Sequence, residues 1–157
     1  MRNVNAHILE IAEGFGARGF DLVRCAQVAQ YNELVSKPHR LPDFGQAESL
    51  VMVVGNTRAL WPRFVSALRL DKSMAQTPDP LDSWVEAQVR DALTEVDTPS
   101  HAHFAHETRK GVVGMQRLGL LSGLGFVGPC HLSVHRKYGP WISFRAAVVF
   151  DLPYEEE

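Results

Sequence analysis

The sequence predicts an α+β fold, a mostly antiparallel sheet covered by helices, and three observations carry that expectation. Its elements read helix, strand, strand, helix, helix, strand, helix, strand, strand, without the regular alternation of a doubly wound α/β sheet, which is the second choice. The run SLVMVVG at 49–55 is short and continuously apolar, as in a strand covered on both faces. Near the end, VGPCHLSV and WISFRAAVVF flank HRKYGP, where Gly139 and Pro140 supply turn geometry, so two adjacent antiparallel strands are expected there.

The elements follow in order. Val4, Ile8, Ile11, Ala12 and Phe15 recur at helical spacing over 3–16, with Gly16 and Gly19 ending the pattern. From Phe20 to Val28 the period becomes two, with Phe20, Leu22, Arg24, Ala26 and Val28 on one side of a strand. The stretch 36–47 holds two prolines and a glycine and reads as a loop. After the central apolar strand, Asn56 or Thr57 can cap a helix to about Leu70 with Trp61, Phe64, Val65 and Leu68 inward. Asp82 or Ser83 can cap another through about Val96, with Trp84, Val85, Ala87, Val89, Ala92 and Leu93 inward. HAHFAH at 101–106 alternates like a strand, and 111–125 reads as a glycine-laced helix, which suggests that something flat or bulky lies close to its backbone. The closing strand should end at Asp151, followed by an exposed acidic tail.

At 157 residues one domain spanning 1–157 is expected, long enough to bury about 70% of its unfolded surface without a metal or disulfide staple. A net charge of −2 offers no field for a polyanion, so nucleic acid is not an expected partner. Cys25 and Cys130 lie far apart without CxxC spacing, and the N-terminus lacks a basic-then-apolar leader, so a reducing, cytoplasmic location is expected. No apolar run approaches about 18 residues, so no membrane span is expected.

The common motif-bearing chemistries find no support: there is no GxSxG elbow, HExxH pair, Walker loop or dinucleotide GxGxxG after a strand. His101 and His103 would share a strand face, yet no carboxylate or cysteine completes a ligand set, and no metal is expected. GLGFVG at 123–128 follows a helix instead of opening one, which favours a plain turn over a phosphate cradle. Asp79 and Asp82 suit turn and cap roles better than paired acid and base. Arg145 stands out because Phe144, Ala146, Ala147, Val148 and Val149 flank it, and a partly buried guanidinium needs an anionic partner. A bound ligand and a structural ion pair both remain open for it.

Several segments in order resemble the cytosolic cobalamin-processing chaperones, the family of the methylmalonic aciduria and homocystinuria type C protein. Residues 27–34 match that family's QVAxYNEL; Leu41, Pro42 and SLVMVVGNTRALWPRFVSAL follow its strand and helix; Asp79, Pro80 and Asp82 resemble its DPxD. His106 and Arg109, then Gln116 and Gly123, then His135, Gly139, Trp141, Phe144 and Arg145 fit further elements, so the resemblance covers about residues 10–150. It implies a nitroreductase-like fold that binds cobalamin base-off and assists removal of the upper axial ligand. Cyanide would leave on reduction by electrons from reduced FMN or FAD, and alkyl groups would leave on attack by glutathione thiolate. The chemistry belongs to cobalt, so no residue is assigned a catalytic role. His106, Gln116, Ser122, Gly123, His135, Gly139 and Trp141 are the expected cofactor-binding residues, and Arg145 the expected glutathione anchor. A downstream cobalamin-trafficking protein or a flavin reductase is the expected protein partner.

The chain departs from that family in three ways. It is expected to stop short at the C-terminus, where further arginines for glutathione lie, so thiol-dependent dealkylation is expected to be weak or absent beside cyanide-eliminating reduction. The family's HPNRRP loop reads HETRKG here, and its Gly-Gly turn reads Gly139 then Pro140, which removes an amide donor. A second resemblance, to the cobalamin domain of epoxyqueuosine reductase, rests on GLGFVG and a later Gly-x-Trp. That enzyme also needs cysteine-bound iron–sulfur clusters, and two cysteines cannot ligate a four-cysteine cluster. The alternatives to a processing protein are a non-catalytic cobalamin carrier and a flavin-binding reductase of nitroreductase type.

Overall fold

The computed structural model describes residues 4–109 and 111–155. Its centre is a four-stranded, fully antiparallel sheet made of β1 (Leu22–Gln27), β2 (Ser49–Asn56), β3 (Ser100–Phe104) and β6 (Ser143–Pro153), in the order β1-β2-β6-β3. Every residue of β2 is buried, as its continuous apolar run requires, and it lies beside β6 in the middle. Among the described residues the α-helices are α1 (Val4–Ala17), α2 (Val28–Glu33), α3 (Leu60–Leu70), α4 (Pro80–Thr94) and α5 (Met115–Leu121). A separate two-stranded hairpin pairs β4 (Phe126–Val127) with β5 (Ser133–Val134).

The sheet divides two cores by strict alternation. Leu50, Met52 and Val54 of β2 with Ala146, Val148 and Phe150 of β6 pack against Ile11 and Phe15 of α1, Leu60 of α3, and Val85 and Val89 of α4. Val51, Val53, Ala147 and Val149 point the other way, onto Val28 and Tyr31 of α2 and Leu118 of α5. The buried Tyr31 hydroxyl ties that second layer together, donating to the carbonyl of His39 at 3.0 Å and accepting the amide of Gly114 at 2.8 Å. Asn32 makes a reciprocal amide pair with the backbone of Leu41, at 2.9 and 2.8 Å. These two residues of the YNEL segment therefore pin the 36–47 loop and the start of α5.

Several expectations are corrected. The apolar run before HRKYGP is not a strand beside WISFRAAVVF; it folds on itself as the β4–β5 hairpin, and β6 pairs with β2 and β3 instead. Gly128 and the bend through Pro129–Cys130 supply that reversal. The predicted strand 20–28 ends at Gln27, because the next residues start α2, and β6 continues past Asp151 to Pro153. The glycine-laced helix shrinks to Met115–Leu121, leaving only Gly119 within it. A Cβ at Gly119 would lie 2.4 Å from Cζ of Phe144, so the close approach there is internal packing. Trp61 is 58% exposed and Ala87 is exposed, so neither turns inward as predicted. Residue 3 of the predicted first helix, Lys110 of HETRKG, and Glu156 and Glu157 of the acidic tail lie outside the described residues.

Candidate functional site

Arg145 owes its position to a backbone irregularity. Along β2 and β6, Val54 faces Ala146 but Gly55 faces Phe144, so Arg145 is the extra residue of a β-bulge. Plain alternation would put Arg145 on the face of Ala147 and Val149, and Phe144 on the face of Ala146. The bulge exchanges them: Phe144 packs into the α2/α5 core against Gly119, and Arg145 turns toward α4 and the end of β2. Gly55 allows the distortion, since a Cβ there would lie 2.7 Å from the carbonyl oxygen of Ser143.

Arg145 keeps 17% of its side-chain exposure. Its Nε donates to Oδ1 of Asn56 at 2.7 Å, and Nη1 lies 3.7 Å from Oδ1 of Asp82 in α4. Asn56 is itself 6% exposed and oriented by a 2.8 Å bond from its Nδ2 to the carbonyl of Thr57. Burial holds the guanidinium below its ordinary value, and Asp82 opposes this without cancelling it. Asn56 engages only Nε and Asp82 stands 3.7 Å from Nη1, so guanidinium N–H groups remain to take an anion. The structural ion pair foreseen as one reading of Arg145 exists, with Asp82 as its partner.

A cleft of about 350 Å³ opens beside this group. Asn56, Arg58 and Trp61 form one side, where β2 passes into α3, and Leu81, Trp141 and Arg145 line the rest. Trp141 is 78% exposed and also lines an adjoining cavity of about 670 Å³ with Asp21, Arg58 and Tyr138. The wall is stiff: both carboxylate oxygens of Asp21 are bonded to Thr57, whose Oγ1 accepts the amide of Ala59 at 3.2 Å before the first turn of α3. His135 braces the opposite wall, its Nδ1 accepting the amides of Lys137 and Tyr138 at 3.0 and 3.3 Å, while Gly139 takes the left-handed φ of 59° that the turn requires.

The other predicted site residues lie elsewhere. His106 follows β3, with Nε2 3.2 Å from Glu86 of α4. Glu86 is one helical turn from Asp82, and hydrogen bonds from Arg90 hold its carboxyl below the ordinary range. Gln116 bonds the carbonyl of His131 at 2.8 Å, fastening α5 to the hairpin. Ser122 bonds back to the carbonyl of Gly119, and Gly123 follows at a φ of 72° as the end of α5. Ser122 also lines a different cavity of about 480 Å³ beside α1 and β1. Among the described residues no group of three His, Cys, Asp or Glu could hold a metal ion; His101 stacks on Phe44 at 4.7 Å. No helix of the described residues is long and apolar enough to cross a membrane. Sequence reasoning passed over Asn56, Arg58 and Trp61 as parts of the site. The available signal was a polar NTR directly after a seven-residue apolar strand.

No protein-family model and no curated protein matches the sequence. Among solved structures, the chain superposes on the Caenorhabditis elegans B12-trafficking protein CblC, a human MMACHC homologue, with a TM-score of 0.75 over 97% of this chain and 73% of that one, at 18% identity. The chain has the CblC fold. Epoxyqueuosine reductase in complex with a tRNA-Tyr stem loop follows at a TM-score of 0.60 and 12% identity, covering 99% of this chain and 48% of that one. The Bacillus subtilis epoxyqueuosine reductase gives 0.58 and 13%, with the same coverage. The CblC fold and its epoxyqueuosine reductase relatives are nitroreductase-like, which agrees with the α+β architecture expected from the sequence.

Proposed function

We propose that this chain, as a single domain, binds cobalamin base-off and assists removal of its upper axial ligand. The observation that carries the proposal is the CblC fold extending over 97% of the chain. The surface chemistry supports it. Leu120, Phe126, Val127, Leu132 and Trp141 are all exposed on α5, the hairpin and the following turn, and exposed large apolar side chains suit a ligand surface. A corrin ring needs a broad apolar platform with a few neutral hydrogen-bonding groups, and Gln116, exposed on α5 beside the hairpin, is such a group.

The protein's part is binding and coordination state, while cobalt carries the reaction. With its lower nitrogen ligand displaced, bound cyanocobalamin would be reduced by one electron from reduced FMN or FAD and would release cyanide. For alkyl cobalamins, the sulfur of glutathione thiolate would take the alkyl carbon and leave both bonding electrons on cobalt, with Arg145 holding a glutathione carboxylate. That second reaction is proposed to be the weaker one.

The experiment is a titration of cyanocobalamin with excess protein followed by absorbance. A shift to the base-off spectrum, then cyanide release on adding reduced flavin, supports the reading. Retention of the base-on spectrum overturns it. A base-off complex that resists reduced flavin identifies a carrier instead, and flavin retained through purification without any cobalamin response identifies a reductase of nitroreductase type.

A further inference from the structure

The cleft beside Arg145 holds a second guanidinium. Arg58 is exposed at the junction between β2 and α3 and lines both the 350 Å³ cleft and the adjoining cavity. Among the described residues its side chain has no hydrogen bond, ion pair or ring contact, as is also true of Arg40, Arg69, Arg109 and Arg136, but of these arginines only Arg58 lines the cleft. The one carboxylate lining that cavity, Asp21, has both oxygens committed to Thr57. Arg58 and Arg145 line the same cleft, so a ligand long enough to span it can contact both, whereas a short monocarboxylic acid held by Arg145 need not. Trp61 and Trp141, both largely exposed, line the space and suit a short uncharged middle section.

We propose that Arg58 and Arg145 together make the cleft selective for small molecules with an anionic group at each end, Arg145 holding one end and Arg58 the other. The inference rests on the reading of Arg145 as an anion anchor but not on cobalamin binding. Roles divide by setting: Arg145 is fixed by Asn56 and mostly shielded from water, so it gives the stronger contact; Arg58 is exposed, so it supplies selection between one and two charges.

The test is tryptophan fluorescence and calorimetry on the full chain with glutathione, glutathione monoethyl ester, glutarate and acetate as probes. Glutarate and glutathione should bind about tenfold more tightly than acetate and the ester respectively, and Arg58→Gln should remove that advantage while leaving the acetate affinity unchanged. Arg145→Met should weaken all four probes, with Arg145→Lys retaining part of the affinity and thermal unfolding confirming that each variant is folded. If Arg58→Gln leaves the two-charge preference intact, or there is none in the parent protein, the inference is overturned while the Arg145 reading survives. If Arg145→Met folds and binds every probe as before, the Arg145 reading falls and this inference falls with it.

Discussion

Replacing Arg145 by methionine separates the two partners of its guanidinium. Methionine keeps most of the apolar stem but leaves Oδ1 of Asn56, a residue 6% exposed, without its 2.7 Å donor. A buried acceptor stranded in this way costs about 1–3 kcal/mol. The pair with Asp82 contributes less: the separation is 3.7 Å, Asp82 is 36% exposed, and screened pairs of that kind give about 0–1 kcal/mol. Removing a partly desolvated charge also returns some energy. The net expectation is a loss of about 1–2 kcal/mol for Arg145→Met and under about 1 kcal/mol for Asp82→Asn. For a chain of this size that corresponds to a fall in Tm of about 2–8 °C for the methionine variant. Urea unfolding followed by far-UV circular dichroism, run as double-mutant cycles, should show Arg145 coupled to Asn56 by about 1–2 kcal/mol and to Asp82 more weakly. The reasoning fails if the Asp82 coupling is the larger. Loss of folding in Arg145→Ala would mark a structural charge, worth about 3–5 kcal/mol, whereas a folded variant with intact base-off binding and slower thiol-dependent turnover fits a ligand role.

Three further outcomes are expected. Gly119→Ala should destabilise by about 1–3 kcal/mol through the clash with Phe144, and Phe144→Leu in the same chain should recover part of it in thermal unfolding; equal stability of Gly119→Ala and parent would refute the packing account. Tyr31→Phe removes both bonds that hold the 36–47 loop and α5, costing about 1–3 kcal/mol, and should speed hydrogen exchange at the Gly114 amide; an unchanged exchange rate would count against it. Burial holds His103 below its ordinary value of 6.5, with Glu107 opposing and His101 adding to the shift, so the unfolded chain binds this proton more readily. Stability from His103 is therefore present above the unfolded value and lost as pH falls below about 6.5, and His103→Leu should flatten the fall of the denaturation midpoint on the acid side of that value.

Much of the scaffold was legible because its elements carry local signals. The unbroken SLVMVVG run fixed the central strand, and the 3.6-residue spacing of Ile8, Ile11 and Phe15 or of Val85, Val89 and Ala92 gave two helices. The hairpin was missed because β4 and β5 have two residues each, too short for any period to develop. Trp61 was assigned inward on hydrophobicity, but it sits at the first turn of α3, where the helix leaves the sheet and its side faces the cleft. Arg145 was conspicuous, yet its anchor Asn56 is 89 positions away and its facing depends on a bulge that leaves no mark in composition. The predicted cofactor-binding residues were taken from motif resemblance, which records neighbours along the chain; Gln116, Ser122 and His135 each hold a local turn or junction.

The bulge at Arg145 makes the site depend on counting as much as on chemistry. Strand residues alternate faces, so removing Phe144 would restore regular pairing with Gly55 and carry Arg145 to the layer of Ala147 and Val149. Substitutions on α4 or at Trp141 alter the character of the cleft; that one deletion in β6 would remove the guanidinium from the cleft while leaving the net charge and every other core residue as they were. Sequence comparisons that place gaps freely in this strand will therefore misjudge which chains keep the site.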